Sequence, residues 1–179
     1  MPHTITSSLA LARTAPKSVA FLGLRAVWLT LLLLISQGAW AEPAAADRAL
    51  GAAKQEYRVL KLQHSIGKQH VQTGQWGAAT SSFLAARISA IKMSNQLSQL
   101  YQENVDSFQR GLYRDGVSQQ KAIDHTRVAG NNSKVLEVRL QMLSQQPSLQ
   151  QNQIAVEVEL VKLDHSMLLL EQAMIAAQQ

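Results

Sequence analysis

Apolar residues recur along most of this chain at alternating steps of three and four, which is the period of one helical face. From Ala44 to about Val71 that face is Leu50, Ala53, Tyr57, Leu60 and His64. Gly67 and Gly74 are expected to weaken the end of this helix, with a soft joint at Gln75–Gly77. A second helix is expected over about residues 78–110, following Leu84, Ile88 and Ile91, then Leu97, Tyr101, Val105, Phe108 and Leu112. That stripe shifts between Ile91 and Leu97, with Met93 as a bridge. Glycines at 111 and 116 bracket a turn over 111–118, and Ser118 is the expected N-cap of the third helix. The third stripe is Ala122, His125, Ala129, Asn132, Leu136, Leu140 and Leu143. Its two polar members predict a thin, wet seam in the first half. A helix break is expected near Pro147, which lacks an amide proton and clashes with the preceding turn.

The fourth segment has the most regular pattern. Val156, Leu160, Leu163, Met167, Leu170 and Met174 form a structural seam with the steps of a coiled coil. Val158, Val161, Leu168 and Leu169 widen the apolar face beyond a two-stranded seam. Such width fits a bundle of three or four helices, or a helix that also meets another subunit. The fold expected is therefore all-α: an elongated helical hairpin or a three- to four-helix bundle with coiled-coil character. Only Ile154–Val161 alternates enough to pass for a strand, and the heptad that continues beyond it argues against one.

The amino end reads differently. Arg13, Lys17 and Arg25 precede the apolar run Ala26–Ser36, and Ala39 and Ala41 supply small residues at the positions a signal peptidase reads. A basic stretch, a short apolar core and an A-x-A site make an export signal. The expected organisation is a signal peptide at 1–41 and a single all-helical domain at 42–179, placed in a bacterial periplasm. The same run read as a retained anchor is short for a bilayer unless Arg25 is carried into it. Membrane contact is thus expected only if the segment is uncleaved. The basic stretch is long for a signal, which leaves open a start downstream of Met1.

Charge and composition narrow the function classes. Three of the 17 lysines and arginines precede residue 42, so residues 42–179 carry 14 against 12 acids, with no basic stripe and no interleaved aromatics. Nucleic acid is not an expected partner. With no cysteine, stability must come from helix packing, and thiolate chemistry is excluded. The adjacent pairs Asp124–His125 and Asp164–His165 point about 100° apart on a helix and do not share a site. Glu157 and Glu159 diverge in the same way. No nucleophile elbow, phosphate loop or zinc motif is present. The expectation is a non-enzymatic protein with no catalytic residues, no metal and no cofactor.

The segment Phe108–Asp124 resembles the helical hairpin of bacterial periplasmic adaptor, or membrane fusion, proteins. Leu112 stands four before Gly116, Val117 and Ser118 follow, and Asp124 occupies an acidic position one turn into the second arm. The likeness covers about residues 80–146, and the β-domains of that family have no counterpart here. It implies a docking turn at Arg110, Leu112, Tyr113, Arg114, Asp115, Val117 and Ser118; Tyr113 and Arg114 lie outside the helical stripe and are expected to be dispensable for folding. The function it implies is an interaction or structural subunit of an envelope export or secretion/conjugation apparatus. Protein partners in the envelope are expected, and self-association is left open. The alternative is a chaperone-like module for hydrophobic clients, for which Met93, Met142, Met167 and Met174 would give an adaptable surface. Core filling is the simpler expectation for those methionines.

Overall fold

A computed structural model describes the backbone of residues 18–179 and the side chains from Ala44 onward. The export-signal reading rests on residues 1–41, whose side chains lie outside that description. The described residues form four α-helices: α1 (Ser18–Gln72), α2 (Trp76–Gln109), α3 (Gly116–Gln145) and α4 (Gln150–Gln178). No strand occurs among them. Residues 39–179 make one compact unit. Among the described residues, no helix is long and apolar enough to cross a membrane.

Within this unit the helices alternate in direction and close into a four-helix bundle, the second of the two all-α forms expected. The closure is written in charge. Asp47, Lys54, Lys61 and Lys68 recur every seven residues on α1, and Glu157, Asp164, Glu171 and Gln178 do so on α4. They meet in antiparallel order. Gln178 Nε2 donates to Asp47 at 2.9 Å, Lys54 pairs with Glu171 at 2.6 Å, Lys61 with Asp164 at 3.1 Å, and Lys68 with Glu157. Each exposed pair contributes only about 0.2–1 kcal/mol, but four consecutive matches fix one register. Tyr57 reinforces it from the core. Its hydroxyl donates to the Leu160 carbonyl at 3.2 Å, and the Lys61 ammonium lies 4.5 Å from the centre of its ring.

The buried faces follow the heptad step more strictly than the large residues do. On α1, Leu50, Ala53, Tyr57, Leu60 and His64 are buried as expected. On α4, five of the six seam residues are buried, and Leu160 is partly buried against the core. On α2 the expectation holds only in part: Leu97 and the bridging Met93 are buried. Leu84, Ile88 and Phe108 face solvent, with Ile88 54% exposed. The buried face is Ala79, Phe83, Ala86, Ala90, Met93, Leu97, Leu100, Asn104 and Ser107. It runs without a shift, because the small Ala79, Ala86 and Ala90 hold inward positions between Phe83 and Met93, while Leu84 and Ile88 beside them point out. On α3 the seam is polar in its first half, but through Thr126 and Ser133 rather than His125 and Asn132, which are half-buried.

The turns also differ from expectation. Gly67 does not end α1, which runs on to Gln72; it is buried against the Phe83 ring. The α1–α2 turn is carried by Gly74 at φ +72°, a conformation glycine adopts without steric cost. Asp115, not Ser118, caps α3: its carboxylate accepts from the Val117 amide at 2.9 Å and from the Ser118 hydroxyl. Those contacts, the Ser118 hydroxyl first, hold its carboxyl below the ordinary carboxylate value. Pro147 stands in the α3–α4 connection, as expected.

Candidate functional site

The core is graded along its length. Toward the α1–α2 and α3–α4 connections it is built from Phe83, Leu60, Leu136, Leu140, Leu143 and Leu163, all fully buried. Toward the α2–α3 turn it becomes small and polar, with Asn104, Ser107, Gln119 and Thr126 buried. Gln119 Nε2 donates to the Asn104 carbonyl at 3.2 Å, and the Thr126 hydroxyl to the Ala122 carbonyl at 2.6 Å. Asn104 Oδ1 and Ser107 Oγ have no partner. Buried polar groups of this kind hold two helices in one register at a cost in stability.

The α2–α3 turn sits at this polar end, and most of its expected docking residues serve the fold. Tyr113 is half-buried with its hydroxyl enclosed. Burial, then the negative charges of Asp47 and Glu103, push that hydroxyl up to about 12. Arg114 Nη1 donates to the Gln179 carbonyl at 3.4 Å. Asp115 is the cap described above, and Ser118 is buried. Tyr113 and Arg114, expected to be dispensable for folding, thus each have a contact within the bundle end: the half-buried ring of one and the exposed hydrogen bond of the other. Leu112 is half-buried, Arg110 is exposed, and Val117, 67% exposed, is the large apolar side chain the turn presents.

A larger apolar surface lies on α4, opposite its core seam. Ile154, Val161, Leu168 and Ile175 recur every seven residues and all are exposed, Val161 at 68%; Val158 lies beside them. The row spans 22 residues, about 31 Å of helix. It runs alongside the α1–α4 ion pairs, and Leu168 shares a groove with Arg58 and Lys61 of α1. Val161 and Leu168 stand out in the sequence as excess width of the face. Ile154 and Ile175 are found only by extending the same seven-residue step. Of the methionines offered as an adaptable surface, Met93, Met167 and Met174 lie in the core and Met142 is exposed.

The titratable side chains do not converge. Among the described residues, no group of three or more His, Asp or Glu could hold a metal ion. Glu157 turns to Lys68 on α1, and that hydrogen bond lowers its pKa. Glu159 is buried and pairs with Lys162 on its own helix at 2.8 Å. His70 Nδ1 shares a hydrogen bond with Gln75 at 2.8 Å. His64 is the unusual one. It is buried 5.9 Å from the Phe83 ring, and its Nε2 has no partner. Desolvation, then the nearby Lys68 charge, lowers its pKa against the opposing pull of Glu157.

His64 gives a pH prediction. Its folded pKa lies below the ordinary value of 6.5, so the unfolded chain binds the proton more readily. Its contribution to stability is present above pH 6.5 and lost as pH falls below it toward the lowered folded value. Urea unfolding between pH 7.5 and 5.5 is expected to show stability falling with pH. The fall should shrink in His64→Leu, and an equal slope in that variant would contradict the assignment.

No protein-family model, curated protein or solved structure matches this chain.

Proposed function

We propose that this protein is a non-catalytic interaction subunit, exported to the bacterial envelope, that docks a helix of a partner protein onto the outer face of α4. The observation that carries the reading is the exposed row Ile154, Val161, Leu168 and Ile175. Monomers rarely expose aligned apolar side chains over such a length without a binding role. A seven-residue repeat is matched by another helix carrying apolar heptads, so the partner is an amphipathic α-helix rather than an extended peptide. The export-type segment ahead of the domain supports placement in the periplasm. The adaptor-like turn supports membership of an export or secretion/conjugation assembly, with Val117 as its most exposed apolar contact. The chaperone-like alternative draws less support. The methionines it would use are largely in the core.

Photo-crosslinking in the native envelope tests the proposal. A benzophenone side chain at Val161 or Leu168 is expected to capture a discrete partner, and one at exposed Gln102 on α2 is not. Equal capture from all three positions, or none, would argue against the α4 surface. Fractionation of the same cells checks the periplasmic assignment separately.

A further inference from the structure

Helical glycines of this bundle differ in their surroundings, and Gly130, unlike Gly51, which also has open space beside it, lines a cleft between two helices. Gly67 is required by the ring packed against it, whereas no neighbouring atom lies within 4 Å of where a Cβ on Gly130 would sit. Gly130 is inside α3 and has no left-handed backbone conformation to explain it. A glycine in a helix interior weakens the helix, and here neither packing nor conformation returns that loss.

Its effect is to open a cleft. Along the α2–α3 flank, Thr80 donates to the Ser144 carbonyl at 3.1 Å, and seven residues further on Arg87 meets Glu137 at 3.3 Å. Beyond these contacts the small Ser98 of α2 and Gly130 of α3 both line the space between the helices. The resulting space measures about 320 Å³, within the range of roughly 300–1,000 Å³ typical of small-ligand sites. Leu97 and Tyr101 give it an apolar wall, and the amides of Gln102 and Asn131 give hydrogen-bonding groups. Arg127 and Lys134 line it as well, and no carboxylate does. Lys134 has no acidic partner among the described residues. Arg127 holds Asp124 only through an exposed pair at 3.3 Å, of a kind that is readily exchanged.

We propose that this α2–α3 cleft binds a small amphipathic anion: an aromatic or short acyl body with one carboxylate, sulfonate or phosphate. The apolar wall takes the body, and the two cations take the charge. The site lies on the α2–α3 flank and does not depend on the partner-docking role of α4.

Calorimetric titration of the full chain with 2-naphthoate tests it, with the neutral 2-naphthalenemethanol as comparison. The anion is expected to bind about tenfold more tightly than the alcohol. Gly130→Leu fills the cleft and restores a good helix former, so it should hold or raise the melting temperature while weakening naphthoate about tenfold or more. Lys134→Glu should weaken it by about fivefold through loss and reversal of charge. Should the leucine disturb the fold, Gly130→Ala, a smaller plug, carries the same test. No naphthoate binding to the unmodified chain, equal binding of the alcohol, or undiminished binding to a folded Gly130 variant would overturn the proposal.

Discussion

Replacing Leu163 with aspartate is expected to unfold the bundle, whereas the same change at Leu168, five residues along the same helix, is expected to leave its stability nearly unchanged. Leu163 is fully buried in the α4 seam, and Leu168 is 53% exposed on the outer row. Deleting a buried leucine side chain costs about 2–5 kcal/mol. An unpaired carboxylate held away from water adds several kcal/mol more, or drives its own protonation. A domain stable by about 5–15 kcal/mol does not tolerate that sum easily. At Leu168 neither cost arises, because the new carboxylate remains in water. Urea unfolding followed by circular dichroism checks both. A folded Leu163→Asp protein, or a Leu168→Asp protein destabilised as severely, would reverse the inner and outer assignment of α4.

Gly67→Ala is expected to destabilise the fold by about 1–3 kcal/mol, despite alanine's advantage of roughly 1 kcal/mol in a helix. A Cβ there would lie 2.4 Å from Phe83 Cε1, with two more ring atoms inside 3 Å. The ring is fully buried, so any shift presses it into a close-packed interior. Pairing Gly67→Ala with Phe83→Leu should recover part of the loss, since the contact is shared by the two residues. Additive losses in the double variant would show that the collision is not the cause.

How much of this was legible in the sequence depends on which residues carry the pattern. On α1 and α4 the inward positions hold tyrosine, leucine and methionine, so hydrophobicity and burial coincide and the faces read correctly. On α2 they hold Ala79, Ala86 and Ala90, while Leu84 and Ile88 stand beside them. Alanine and serine are weak signals, and following the large side chains selects the wrong face. The same smallness lets α2 approach its neighbours closely, and Gly67 takes it to the limit. The α3 face is legible through Ala122, Ala129, Leu136, Leu140 and Leu143, all buried, and only its polar members lie one residue beyond His125 and Asn132, at Thr126 and Ser133. The cap was misplaced because Ser118 and Asp115 are both competent, and only the backbone decides between them. The outer α4 row was visible as excess apolar width. The cleft beside Gly130 was not, because it arises from two small residues on different helices whose register the sequence does not state.

The central claim is that α1 and α4 pack antiparallel in one heptad register, turning one apolar face of α4 inward and leaving the other outside. The chain has no cysteine, so a pair of introduced cysteines can be spin-labelled uniquely. Labels at the exposed positions Arg58 and Leu168, which line the same groove, can be compared with labels at Arg58 and Ile154 by pulsed electron resonance. The account predicts a short, narrow distance for the first pair, set by helix axes about 8–10 Å apart. The second pair should be clearly longer, because 14 residues of α4 add about 21 Å along the axis. Equal distances for the two pairs, or a long and broad one for Arg58 with Leu168, would contradict it.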